Sequence, residues 1–163
     1  MDCGPSCLRM VAAYYDRIYS LQYLRERCHI SREGGSLLGI SEAAEQIGFQ
    51  TMALKVPFEG EEAGLTDAPL PCIAHWRQRH FVVVYKVTSR HVWIADPAEG
   101  KFKLTRAAFE DGWFSDGKKG VLLVLEPGPD FQKLEGEERQ LRGLGNIVGY
   151  LGRFRRQFAL LVL

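Results

Sequence analysis

The feature of this sequence that most constrains its fold is a change in the spacing of apolar residues about a third of the way along the chain. Before residue 49, apolar residues recur every three or four positions, which is typical of helices with one buried face. From residue 49 onward they form short runs rich in β-branched and aromatic side chains, which is typical of strands. Helices that precede the strands, rather than alternate with them, predict an α+β domain with a mostly antiparallel sheet.

Three helices are predicted in the first third of the chain. The first starts at Cys3 with Asp2 as its cap, because Asp is a favoured residue directly before a helix. Ser20 and Ser36 predict the caps of the second and third helices, and Gly48 predicts the end of the third. The first helix is expected to bury one face, formed by Cys7, Met10, Val11, Tyr14 and Ile18.

About five strands follow, with the sequences FQTMALKV, LPCIAHW, HFVVVYKV, HVWIADP and GVLLVLEP. A short helix capped by Thr105 is predicted between the last two strands. We therefore expect one domain over residues 1–129, in which the N-terminal helices pack on the sheet.

Residues 130–163 differ in character. They are polar and basic, with one amphipathic stripe, and they end in FALLVL shortly after a cluster of arginines. Arginines before an apolar run are typical of the cytoplasmic end of a membrane span, so we expect a linker and an amphipathic approach to a transmembrane helix. The alternative is a C-terminal helix that docks on the core of the domain.

Charge and cysteine content exclude several classes of protein. The net charge of +1 gives no electrostatic reason to expect a nucleic-acid partner. Four cysteines in a chain of 163 residues form no dense framework, so we expect reduced thiols and not disulfides. We expect no secretory signal peptide, because the first residues lack a basic segment followed by an apolar one.

Three residues form a candidate nucleophilic site. Cys3 lies at the start of a helix, where unpaired N–H groups and the helix dipole stabilise a thiolate. His80 begins an apolar strand and Asp96 ends the next one, and antiparallel pairing brings these two strand ends together. The order of nucleophile, base and orienting acid is that of papain-like hydrolases. Taken singly, each residue also has a purely structural explanation as a packed thiol, a strand histidine or a turn aspartate.

A zinc site is the alternative use of the cysteines. Cys3, Cys7, Cys28 and His29 supply the right types of ligand. However, Cys3 and Cys7 lack the turn of a C-x2-C knuckle, and Cys7 falls on the buried face of the first helix, where it acts as a small apolar residue. We therefore expect no metal.

Five segments, MDCGPSCLRM, GGSLLGISEAAEQIGF, LPCIAHW, HFVVVYKV and IADPAEGK, occur in this order. Together they resemble the N-terminal peptidase domain of bacterial peptidase-containing ABC transporters, which export bacteriocins and other peptides and cut their leaders after a double glycine. The resemblance covers the chain to about Pro129 and implies a papain-like cysteine peptidase fold. It assigns Cys3 as the nucleophile, His80 as the base and Asp96 as the residue that orients the base.

The resemblance also implies how the oxyanion is held. In that family the backbone N–H of the nucleophile and a glutamine a few residues before the D-C-G block form the oxyanion hole. Here that N–H belongs to Cys3, and no glutamine precedes Asp2, since the chain begins at Met1. We interpret Met1 as an internal methionine taken as a start. Loss of one oxyanion donor typically lowers the rate by ~10²–10³-fold, so we expect impaired cleavage.

The proposed substrate is a peptide precursor with a double-glycine leader. Glycine specificity fits a narrow cleft, because only glycine lets the backbone lie that close to the walls. Gly4 is expected to leave space for the substrate beside the sulfur, and the helical part of the leader requires an apolar groove. Its candidate lining residues are Tyr14, Tyr15, Tyr23, Leu37, Leu38 and Trp76.

The remaining expectations follow from the resemblance. It implies no cofactor for this domain, with ATP and Mg²⁺ confined to a nucleotide-binding domain elsewhere in the full-length protein. It also implies a cytoplasmic position at the bacterial inner membrane, with the transmembrane and ATP-binding domains of the same chain as partners. The full-length protein is expected to be a homodimer and the isolated domain a monomer. Two alternatives remain open: a non-cleaving leader-docking module, and a papain-like hydrolase unrelated to export.

Overall fold

The computed structural model describes residues 2–29, 35–61, 63–131 and 133–134. The α-helices in these ranges are α1 (Cys3–Tyr14), α2 (Leu21–Arg27), α3 (Leu37–Gln46) and α4 (Arg106–Trp113), with a 3-10 helix at Leu65–Asp67. The strands are β1 (Phe49–Val56), β2 (Cys72–Trp76), β3 (His80–Val87), β4 (His91–Asp96), β5 (Gly100–Thr105) and β6 (Gly120–Pro127). The predicted α+β order, with helices before strands, is confirmed.

The six strands form one antiparallel sheet in the order β1-β6-β2-β3-β4-β5. The prediction of about five strands is one short, because β5 is not among the predicted strands. Lys101 and Lys103 alternate with Phe102 and Leu104 in this strand, so it lacks the apolar run by which the other strands were recognised. Strand β5 nevertheless pairs with β4 along its whole length, from Thr105 opposite His91 to Gly100 opposite Asp96.

The helix caps follow the sequence at three of the four predicted positions. Ser20 Oγ accepts from the Tyr23 amide at 3.2 Å, and Ser36 and Thr105 cap α3 and α4 in the same way. The cap predicted at Asp2 is wrong, because its side chain accepts no hydrogen bond from α1. The Asp2 carboxylate instead accepts two hydrogen bonds from the guanidinium of Arg25, so it ties the start of α1 to α2.

Two apolar clusters lie on opposite sides of the sheet. Helices α1, α2 and α3 cover one side, which we call the α1 face, and its core includes Leu8, Ile40 and Phe81. Helix α4 covers the other side, the α4 face, whose core includes Phe109 and Trp113. The α1 face carries the N-terminus of α1, so it is the side that concerns the candidate site.

The predicted buried stripe of α1 is only partly correct. Cys7 and Val11 are fully buried, but Tyr14 is 65% exposed and Ile18 is 51% exposed. The reason is that α1 ends at Tyr14 and Asp16 adopts a positive φ of 58°, so the chain leaves the helical path before Ile18.

The segment predicted over residues 130–163 lies outside the described residues except for its first few positions. Phe131 is buried against Phe49, with 4.6 Å between the ring centroids. Among the helices of the described ranges, none is long and apolar enough to cross a membrane.

Candidate active site

The candidate base, His80, is the first residue of β3. Its ring Nε2 lies 2.9 Å from Asp96 Oδ1, at the last residue of β4. Strands β3 and β4 are antiparallel, with Val83 opposite Ala95, so the start of one strand lies beside the end of the other. The predicted contact between His80 and Asp96 is therefore confirmed.

Asp96 is a buried carboxylate, with 7% of its surface exposed. Burial raises the pKa of Asp96, but hydrogen bonds from His80 and from the amides of Ala98 and Glu99 outweigh burial, and the net pKa is lowered. The Ala98 amide donates to the same Oδ1 at 2.7 Å. Because an ionised carboxylate only accepts hydrogen bonds, Nε2 of His80 carries the proton of this contact.

The other ring nitrogen of His80 has a different environment. Nδ1 is buried and has no hydrogen-bond partner in the described part of the chain. Buried polar atoms are nearly always hydrogen-bonded, and a catalytic role is one explanation for an unpaired one. With Nε2–H bonded to Asp96, Nδ1 is the lone-pair nitrogen of the neutral ring, so it is the atom able to accept a proton.

Cys3, the candidate nucleophile, is the first residue of α1 and is 6% exposed. Because the Asp2 side chain does not cap this helix, it leaves the first N–H groups of α1 to other partners. The positive end of the α1 dipole lies at Cys3.

Cys7, one turn later, connects α1 to the strand of the base. Its thiol donates to the carbonyl oxygen of Phe81, the residue after His80, at 3.3 Å. Burial raises the pKa of the Cys7 thiol well above its usual value, and the charges of Cys3 and Asp96 raise it further. The hydrogen bond from Cys7 to Phe81 places the first turn of α1 beside the start of β3, at the end of the sheet where His80 contacts Asp96.

This combination of a helix-start thiol with a histidine–aspartate pair agrees with the comparison to known families. Residues 1–130 match the Peptidase C39 family. The chain belongs to the Peptidase C39 family. This is a family of cysteine peptidases, and the chain is therefore a peptidase C39 domain with the papain-like architecture of its solved relatives.

Known relatives of this peptidase C39 domain include two transport proteins. It is 38% identical over 136 residues to the lactococcin-G-processing and transport ATP-binding protein LagD of Lactococcus lactis. That alignment covers 80% of this chain and 18% of the relative. The domain is 34% identical over 169 residues to the transport/processing ATP-binding protein ComA of Streptococcus pneumoniae, covering 100% of this chain and 22% of the relative. The chain thus spans about a fifth of the length of these relatives.

A solved structure gives the same result for the fold. The double glycine motif protease from an AMS/PCAT transporter, determined in complex with the leader peptide, is 31% identical to this chain. The TM-score is 0.68, and the match covers 77% of this chain and 84% of that one.

The residues predicted to line a substrate groove in this peptidase C39 domain lie in different places. Trp76 is buried in the core of the α4 face, away from α1. Tyr23 stacks on Tyr19, and Tyr15 packs against Phe49. The space expected beside Gly4 is filled by Ile40, since a Cβ added at Gly4 would lie 2.8 Å from Ile40 Cδ1. Leu37 is partly buried on the α1 face, and Leu38 is 67% exposed.

Tyr14 is the predicted groove residue that lines a cavity. This cavity of about 420 Å³ lies between α1 and the middle of the sheet, on the α1 face. It is lined by Met10, Ala13, Tyr14, Pro71, Val83, Tyr85, Ala95 and Lys101. Ala95 directly precedes Asp96, so the cavity begins beside the His80–Asp96 pair. Most of its lining was missed from sequence, because it depends on which strand lies under α1.

The zinc alternative concerns Cys3, Cys7, Cys28 and His29. Across the described ranges, no three histidine, cysteine or acidic side chains lie close enough together to hold a metal ion. Cys28, one of the ligands considered for zinc, is buried, and burial raises the pKa of its thiol to about 11.

Proposed function

We propose that this chain is the leader-peptidase domain of a peptide-exporting ABC transporter, and that it cuts precursor peptides after a Gly-Gly site. The observation that supports this most directly is the pairing of His80. Nε2 is bonded to Asp96, while Nδ1 is buried and has no partner among the residues that the structure describes, at the end of the sheet where α1 begins with Cys3. That arrangement leaves one ring nitrogen ready to take the proton of a thiol.

In the proposed reaction, His80 Nδ1 takes the proton of the Cys3 thiol, and the thiolate attacks the carbonyl carbon of the second leader glycine. The backbone N–H of Cys3, at the positive end of α1, stabilises the oxyanion of the tetrahedral intermediate. The C–N bond then breaks as the imidazolium returns its proton to the leaving amine. Water, activated by His80, hydrolyses the thioester and releases the leader with a free carboxylate.

Asp96 holds the ring in the orientation that this chemistry needs. Its carboxylate stays ionised, since its pKa is lowered, and it stabilises the imidazolium that forms when Nδ1 accepts the proton. Amides of the turn after β4 hold the carboxylate in place, so the orienting group does not depend on His80 alone.

The leader is proposed to lie along α1. Cys3 and Met10 are separated by about 10 Å along the helix axis, so the cavity at Met10 and Tyr14 starts a few extended residues upstream of the cut. An apolar side chain of the leader would fill the cavity and a helical segment would continue beyond it.

The proposed wider setting follows the printed names of the relatives, which are transport and processing ATP-binding proteins. In that setting the domain lies at the cytoplasmic face of the bacterial membrane, joined to transmembrane and ATP-binding domains of the same chain, and the full-length protein is a homodimer. ATP and Mg²⁺ act in the ATP-binding domain, and peptide cleavage itself needs no cofactor.

The test is cleavage of a precursor that carries a double-glycine leader, followed by mass spectrometry. We expect a product that begins directly after the second glycine with the wild-type chain and none with Cys3→Ala. Cys72→Ala is the matched control, because Cys72 lies in the core of the α4 face. Because the absent glutamine is expected to slow cleavage by ~10²–10³-fold, the reaction is followed for long enough to detect that lower rate. Equal cleavage by Cys3→Ala would refute the nucleophile, and leader binding with no cleavage by the wild type on that time scale would assign a docking module instead.

Alkylation gives a second readout. Burial raises the pKa of Cys28 to about 11 and that of Cys72 to about 12, and it also raises the pKa of Cys7. These three thiols are therefore almost entirely protonated at pH 7. Iodoacetamide at neutral pH is therefore expected to label Cys3 first. Peptide mapping that finds faster labelling at any of the other three cysteines would contradict the assignment.

A further inference from the structure

Three lysines lie over aromatic rings on the part of the α1 face that α1 does not cover. Lys86 Nζ and Lys103 Nζ lie 4.6 Å and 5.1 Å from the centroid of the Trp93 ring, and Lys101 Nζ lies 5.6 Å from that of Tyr85. We call Lys86, Lys101 and Lys103 the lysine row. All three are exposed, and within the described ranges none of them forms an ion pair.

The lysine row continues the cavity of the candidate active site. Lys101 belongs to the cavity lining itself, opposite Ala95 in the β4–β5 ladder. Lys103 lies opposite Trp93, two residues further from Asp96. A peptide that extends from the site along α1 therefore lies between the apolar side of the cavity and the positively charged lysine row.

The spacing of these charges fits a helix. Lys101 and Lys103 point to the same side of β5, and two residues of a strand span about 7 Å. Side chains at positions i and i+4 of a helix are separated by about 6 Å. Two carboxylates one turn apart would thus face the two lysines while the adjoining apolar side of the same helix covers the cavity.

We propose that the lysine row is a specificity determinant that selects leaders carrying acidic side chains one helical turn apart beside their apolar face. This inference rests on the proposed function and names the class of leader that it accepts. The row acts on binding and not on the chemical step, because none of the three lysines belongs to the His80–Asp96 pair or to the first turn of α1.

The experiment compares three synthetic precursors with one Gly-Gly leader helix, in which an i, i+4 pair on the flank is Glu/Glu, Gln/Gln or Lys/Lys. For the wild-type chain we expect KM to rise about tenfold from the Glu to the Lys peptide, with kcat unchanged. The difference in KM between the peptides should shrink as NaCl is raised from 50 to 500 mM. Salt screens exposed charges, and the Debye length falls below about 10 Å over this range.

Charge reversal supplies the specific test. The double variant Lys101→Glu/Lys103→Glu is expected to prefer the Lys/Lys peptide, and the neutral variant Lys101→Gln/Lys103→Gln to lose the preference. Lys118→Glu/Lys119→Glu changes the net charge equally on the loop before β6, and it should retain the wild-type preference. Circular dichroism checks that each variant folds, and the neutral variant keeps the test decisive if the reversed one does not.

Two results would overturn the inference and leave the proposed function standing. Equal KM for the three peptides with the wild-type chain would remove the lysine row from leader recognition while leaving the peptidase assignment intact. Binding of the wild type, but not the reversed variant, to vesicles of anionic lipid with no effect on KM would assign the row to a membrane surface. Cleavage of none of the three peptides would instead refute the proposed function itself, and the inference with it.

Discussion

The two faces of the sheet both bury an apolar core, but only the α1 face carries the candidate site. On the α4 face, Trp113 and Phe109 are fully buried, with 5.3 Å between their ring centroids. Trp113 lies directly on β6, since a Cβ added at Gly120 would be 2.2 Å from Cε2 of its ring, and its Nε1 donates to the Val121 carbonyl at 3.1 Å. This close packing makes Trp113 and Phe109 core residues of the α4 face, remote from the candidate site.

On the α1 face, by contrast, the helical cover ends before the sheet does. Helix α1 packs on β3, Tyr14 at its end is mostly exposed, and the cavity opens between α1 and the neighbouring strands. The His80–Asp96 pair lies at the edge of this cover. Both faces bury an apolar core, but the α1 face also carries the candidate site and the cavity beside it. The predictions below test whether side chains at the site can be separated from side chains of the core.

The largest effect is expected from Asp96, on the α1 face. Asp96→Ala removes the acceptor of both His80 Nε2 and the Ala98 amide, so kcat should fall by ~10²–10⁴-fold. Asp96→Asn should lose less, because its amide oxygen can still accept from His80 Nε2 and from the Ala98 amide at the Oδ1 position. Steady-state kinetics on a double-glycine precursor measures both, and an Asn variant as inactive as the Ala variant would show that charge matters more than orientation.

Next in size is a truncation on the α4 face. Trp113→Ala removes a fully buried ring and its hydrogen bond, which should lower the free energy of unfolding by about 3–5 kcal/mol. Urea denaturation measures this loss. The kcat of the protein that remains folded should be unchanged, and a drop comparable to that of Asp96→Ala would show that the two faces are coupled.

The matched truncation on the α1 face is Tyr14→Ala. Because Tyr14 is 65% exposed, its loss should change the free energy of unfolding by no more than about 0.5 kcal/mol. Its ring lines the cavity, so KM for the precursor should rise by roughly fivefold, which corresponds to about 1 kcal/mol of lost apolar contact. A large loss of stability with unchanged KM would place Tyr14 among the packing residues and contradict the separation of site and core side chains.

Local signals in the sequence were sufficient for the helices and for the pair at the site. Ser20 was recognisable because its hydroxyl accepts from an amide three residues away. The contact between His80 and Asp96 was predictable because each residue stands at the end of a recognisable antiparallel strand. The Asp2 cap failed for a non-local reason, since Arg25 from another helix binds its carboxylate more strongly than the helix amides do.

Features that depend on register were not predictable in the same way. Strand β5 alternates lysines with apolar residues, and it is held by its ladder with β4 and not by its own apolar content. Without β5, neither the position of Lys101 at the cavity nor the proximity of Lys103 to Trp93 follows from the sequence. The role of Gly4 was misjudged for a related reason, because the neighbour that fills its space comes from α3.

The smallest effect concerns pH and His75, which faces Phe81 across the β2–β3 ladder with 5.2 Å between the ring centroids. Burial lowers the pKa of His75, so the folded protein favours the neutral ring. An unfolded histidine binds its proton near pH 6.5. As pH falls below that value, the unfolded state takes up the proton first, and stability declines until the pH passes the lowered pKa of the folded state.

His75→Gln should lack this part of the decline, with a slope difference below the one-proton limit of about 1.4 kcal/mol per pH unit. Urea denaturation from pH 8 to pH 5 measures the slopes, and the difference at pH 8, where the ring is neutral in both states, isolates the change in packing. Parallel curves for the two proteins would mean that His75 takes up its proton as readily in the fold as outside it, and that the α1 face admits solvent deeper than its cover suggests.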